Sequence, residues 1–138
     1  MTAAATVIAA ANAAAEISGR SAYAPVLDRA ELDANTMSDP ALQKELFDLY
    51  FGHAAQAMLK MRKALADADR VTWTASAHGL KGTARTLGLM RLAETAAEAE
   101  AAGERGEIGM TPERVETLQR ALTAASAAAH GHLAQTQG

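Results

Sequence analysis

Through most of the chain, hydrophobic positions recur at steps of three and four with polar residues between them. In "SDPALQKELFDLYFGHAAQAMLKMRKALADAD", the residues Phe47, Phe51, Ala54, Met58, Met61 and Leu65 form one continuous stripe. That spacing predicts a helix with one face in a core. Asp39 stands ahead of it as N-cap, and Pro40 takes the first helical position, where a missing N–H costs nothing. Leu42, Leu46 and Leu49 make a second, shorter stripe on another side, open to the N-terminal segment or to a partner protein. The stretch "DRVTWTASAHGLKGTARTLG" is predicted to be the next helix, ending near Gly88. "LMRLAETAAEAEAAG" follows, with Leu89, Leu92, Ala93 and Ala96 on one side and Gly103 as its stop, and "ERGEIGM" is a loop. In "TPERVETLQRALTAASAAAHGHLAQ", Thr111 caps a last helix, Pro112 opens it, and Val115, Leu118, Leu122, Ala125 and Ala129 step by three and four. Four amphipathic helices with short connections predict an all-α fold, an antiparallel four-helix bundle. "YAPVLDRAELDANTM" is expected to add a short helix across one end. Residues 1–20 are then an Ala-rich extension or extra helix, and residues 21–138 the bundle.

Composition narrows the picture further. With 138 residues the chain is one domain, long enough for a single core. Much of its 49% hydrophobic fraction is alanine, and aromatics are only 4%. This mixture favours closely packed helices over sheet. A net charge of −3 argues against a nucleic-acid partner, which calls for a basic face. No cysteine is present, so disulfide and thiolate chemistry are excluded, as suits a reducing compartment. The opening "MTAAATVIAAANAAAEISGR" has no Lys or Arg before Arg20 and so lacks the positive start of a signal peptide. Alanine-rich and broken by Asn12 and Glu16, it is also unlike the run of about 20 strongly apolar residues that spans a membrane. A cytoplasmic location without a membrane partner is expected.

The chemistry concentrates in "AHGLKGTARTLG", residues 77–88. A helix advancing about 100° per residue puts Trp73, Ala77, Leu80, Ala84 and Leu87 on one side, the core side. Val71, Thr74, Lys81, Gly82 and Arg85 cluster instead around His78, which therefore points to solvent. A neutral imidazole with a free nitrogen is a competent nucleophile near neutral pH. Lys81 and Arg85 place positive charge where an anion on that ring would sit, and arginine suits phosphate oxygens. Gly82, one turn from His78, lets a partner backbone approach, although each glycine inside a helix costs about 1 kcal/mol relative to alanine. Gly79 lies about 100° round the helix, and no local requirement for it is visible in the sequence. No carboxylate lies within one helical turn of His78 on its exposed face, and no serine is set beside it to make a hydrolase. The pattern suits accepting and handing on a charged group.

"AHGLKGTARTLG" resembles the signature of histidine-containing phosphotransfer (HPt) domains, roughly A-H-x-L-K-G followed by two small residues and, after a short spacer, an apolar residue and glycine. The likeness runs from about Val26 to Gly103, through a short leading helix, a Phe/Leu-rich helix, the histidine helix and a fourth segment. It implies that His78 accepts a phosphoryl group from a receiver-domain aspartate and passes it to another receiver. Lys81 then helps to neutralise that group, Gly82 leaves room for the receiver, and Leu80 and Leu87 are core positions. Thr83 stands where serine is frequent, and Arg85 occupies a variable position, so its role rests on the helical wheel. The resemblance implies no cofactor of the chain's own, with Mg²⁺ supplied by the receiver. The partners it implies are the receiver of a hybrid histidine kinase and that of a response regulator, met by a monomeric HPt protein. Thr74, Gly82 and Arg85 are expected at the partner contact. Two alternatives stand beside this: a module phosphorylated directly by an ATP-binding kinase domain on another chain, and a helical adaptor whose histidine is not phosphorylated.

Other features carry less. His53, near Gln56 and Lys60, is expected to be a surface or packing histidine, with partner contact as the alternative. "HGH" at His130 and His132 has no nearby carboxylate and stands at a frayed chain end, so no metal site is expected. No Glu-x-x-His pair or Gly-rich nucleotide loop is present. "ETAAEAEAAGERGE" and "KMRK" are expected to be solvated helix faces.

Overall fold

The computed structural model describes residues 24–106 and 109–137. The extension or extra helix read over residues 1–20 lies outside them. Five helices follow in order: α1 (Arg29–Thr36), α2 (Pro40–Asp67), α3 (Arg70–Thr86), α4 (Met90–Glu104) and α5 (Pro112–Gln137). The starts of all but α4 are set by short polar side chains that accept otherwise unpaired N–H groups. Asp28 accepts from Glu31 N, Asp39 from Ala41 N and Leu42 N, Asp69 from Thr72 N, and Thr111 Oγ1 from Arg114 N. Ala68 ends α2 in the left-handed region at φ 55°, and with Asp69 reverses the chain in two residues. At the α3–α4 turn Gly88 has φ +78°, and a Cβ there would run into the Asp28 carbonyl. Glycine is therefore required where the segment ahead of α1 crosses the turn, with Asp28 N donating to Gly88 O at 2.7 Å.

α2 packs on α3 and α5, and α4 packs on the same two helices, which closes the four into a ring. α1 lies across one end against α2 and α3. The predicted stripes form the core: Phe47, Met58 and Met61 from α2, Trp73 from α3, Leu92 from α4 and Leu118 from α5 are fully buried. Ala54, Ala77, Ala84, Ala96, Ala99 and Ala125 are buried among them, and their small side chains bring the helix axes close. Tyr50 is buried between α2 and α3 and donates to Leu80 O at 3.0 Å, and its burial raises its pKa. Among the described residues, no helix is long and apolar enough to cross a membrane.

Two expectations are corrected. Gly103 does not stop its helix by freedom of backbone; it is buried inside the last turn of α4, one residue before the end. "HGH" is not a frayed end either, since α5 continues to Gln137 and His132 is buried. His132 Nε2 donates to Gln43 Oε1 at 2.9 Å, while Gln43 Nε2 donates to Asp33 Oδ1 at 2.8 Å and Thr36 Oγ1 at 2.9 Å. This chain of hydrogen bonds ties α5 and α2 to α1, a connection between residues far apart in sequence.

Candidate functional site

On α3 the predicted division of faces holds. Trp73, Ala77, Leu80, Ala84 and Leu87 are buried, and the His78 side chain is 68% exposed. Its Nδ1 lies 2.6 Å from Glu100 Oε2 on α4, and the other oxygen of that carboxylate lies 2.5 Å from Lys81 Nζ. Lys81 and Glu100 are mostly covered, so one carboxylate joins an exposed imidazole to a half-buried ammonium. The hydrogen bond from Lys81, aided by that from His78, holds the Glu100 carboxyl below its ordinary pKa against the opposing effect of burial. An ionised carboxylate only accepts, which places the ring proton on Nδ1 and leaves the lone pair on Nε2.

α4 carries Glu100 to this position because its backbone is fixed on α3 at the neighbouring residue. Trp73 Nε1 donates to Ala99 O at 2.8 Å, next to Glu100 in sequence. Gly82 is exposed one turn beyond His78, and a Cβ there would meet nothing within 4 Å. Arg85 is exposed two turns along from His78, apart from the Glu100 cluster. Thr74 is half-buried; its Oγ1 lies under Gly103 with no hydrogen-bond partner, so the hydroxyl is turned toward α4. Gly79 lines an open groove between α2 and α3 together with Leu46, Leu49, His53, Ala57 and Ala75. Bare backbone there widens the groove beside the histidine. Among the described residues, no three or more His, Asp or Glu side chains are grouped to hold a metal ion.

Glu100 is the residue that sequence reasoning missed. The run "ETAAEAEAAGERGE" is not uniformly solvated, because Glu100 is only 15% exposed on its side chain. His78 has no carboxylate from its own helix, but it has one from the next. A signal was present: Glu100 falls four residues after Ala96 and seven after Ala93, on the apolar side of α4. Glutamate on such a face requires a partner.

Residues 45–128 match the family model for the Hpt domain. No curated protein and no solved structure matches the chain. The matched span takes in most of α2 and α5, all of α3 and α4, and the His78–Glu100–Lys81 cluster. The chain thus belongs to the Hpt family, whose domains carry out phosphotransfer in two-component signalling through contact with receiver domains.

Proposed function

We propose that this chain relays phosphoryl groups between two receiver domains, with His78 as the residue that carries them. One observation supports this above the rest: an exposed imidazole whose Nδ1 is occupied by a carboxylate at 2.6 Å, which leaves Nε2 as the free nucleophilic nitrogen. In the forward step the Nε2 lone pair attacks phosphorus of an aspartyl phosphate on the donor receiver. The N–P bond forms as the P–O bond to the aspartate breaks, and the aspartate leaves as carboxylate. Positive charge develops on the ring while the Nδ1 proton stays in place, and Glu100 stabilises that charge from a fixed position. Transfer to the second receiver is the same exchange in reverse. Lys81 offsets the charge of Glu100 and adds positive potential beside the incoming phosphoryl oxygens. Mg²⁺, in this reading, is held by the receiver and not by this chain.

Gly82 and the groove between α2 and α3 give the receiver its approach, and Arg85 extends the cationic surface along α3. The relay is tested by mixing a phosphorylated donor receiver, this chain and an acceptor receiver, then following phosphate on each. Phosphate is expected to reach the acceptor only when this chain is present. A chain phosphorylated by an ATP-binding kinase domain alone, and inert toward every phosphorylated receiver, would contradict the relay.

A further inference from the structure

Glu100 meets His78 only if α4 lies close to α3, and one turn further along α4 the two helices touch with no space between them. Gly103 is buried there, and a Cβ on it would overlap Thr74 Oγ1 and come within 2.6 Å of Trp73 Cδ1. Arg70, at the start of α3, reaches across the same point. Its Nε donates to Gly103 O at 2.8 Å and its Nη2 to Glu104 O at 3.2 Å. The last carbonyls of a helix have no donors within it, so this guanidinium fastens the end of α4 to α3. Thr74 Oγ1 is buried without a hydrogen-bond partner, an unfavourable state for a hydroxyl that the close approach of Gly103 enforces. Glu100 and Gly103 lie on the same side of α4, separated by about 4.5 Å of helix rise.

We propose that Gly103 and Arg70 form a clamp that positions Glu100 against His78. Gly103 sets how near α4 comes to α3, and Arg70 holds it there. Neither residue touches the reacting atoms; both are positioning residues that act through the Glu100 carboxylate. The consequence for transfer rests on the phosphotransfer reading of His78, whereas the geometric effect stands apart from it. Alanine at position 103 adds a methyl group where there is no room, so α4 must move outward and draw the carboxylate away from Nδ1. Alanine at position 70 removes the tie without adding an atom.

The test uses the full-length chain and reads the imidazole nitrogens of His78 by ¹⁵N NMR, alongside its rate of phosphorylation by a phosphorylated receiver. In the unaltered chain the ring is expected in one tautomer, with the proton on Nδ1. Gly103→Ala is expected to remain helical, to release the ring toward the tautomer mixture of free imidazole, and to slow transfer by about tenfold. Thr74→Ala in that background relieves the closest overlap and is expected to restore part of both signals. Arg70→Ala is expected to shift the ring in the same direction, and it decides the matter if Gly103→Ala does not fold. His78 still fixed on Nδ1–H in a folded Gly103→Ala or Arg70→Ala chain would overturn the clamp. Release of the tautomer with an unchanged rate would support the clamp and overturn the role of Glu100 in transfer.

Discussion

At the scale of single residues, the site is a histidine presented outward and a carboxylate that comes to it from elsewhere. His78, Lys81 and Gly82 were legible in the sequence because they share one face of one helix, and helical periodicity fixes such neighbours. Glu100 was not, because its contact depends on the register of α4 against α3. Its charge is expected to matter for rate. Glu100→Gln keeps an acceptor for Nδ1 but removes the charge that offsets the developing imidazolium, and should slow phosphorylation by about tenfold, equivalent to ~1.4 kcal/mol of transition-state stabilisation. Steady transfer rates in that variant would show that only the hydrogen bond counts. The same carboxylate gives the site a pH dependence. Because Lys81 and His78 lower its folded pKa, the pairing stabilises the fold at pH above the ordinary carboxyl value of 4.5 and is lost as pH falls through the lower folded value. NMR titration of the Glu100 carboxyl should therefore give a midpoint below 4.5, and Lys81→Ala should move it upward.

Among the elements, boundaries followed from local chemistry that the sequence states openly. Asp39, Asp69 and Thr111 cap their helices as their positions require, and Gly88 turns the chain where only glycine fits beneath Asp28. What local signals could not give was the meaning of polar residues that face another element. Gln43 sits in the first turn of a long helix and His132 near the end of another, 89 positions later. Only the closed ring of helices makes them partners. His132→Ala is expected to leave Gln43 Oε1 buried and unpaired, at a cost of about 1–3 kcal/mol. Chemical denaturation should show this as a lowered midpoint with an unchanged slope, while phosphotransfer measured well below that midpoint stays intact. Equal midpoints would show that the network is not a source of stability.

Considered as a whole molecule, the bundle separates its structural and working sides. Trp73 and the alanine-lined interior hold the helices together, while His78 and Gly82 are exposed on α3 and Gly79 lines the groove between α2 and α3. The second leucine stripe was visible in the sequence, and Leu49 remains 55% exposed beside that groove. Which of its two readings applies, the N-terminal segment or a partner protein, was not visible, because an apolar residue left outside a core gains meaning only from what lies next to it. Leu49→Glu is expected to weaken receiver docking and raise the receiver concentration needed for half-maximal transfer, with helicity and melting unchanged. An unaltered concentration dependence would place docking on another face. The central claim is that His78 itself carries the phosphoryl group. Its most direct measurement is incubation of the unaltered chain and of His78→Ala with a phosphorylated receiver, scoring acid-labile, base-stable phosphate on each. The exposed ring can be removed without disturbing the core, so His78→Ala should be fully folded and take up no phosphate. A folded His78→Ala chain that accepts phosphate as the unaltered chain does would contradict the claim.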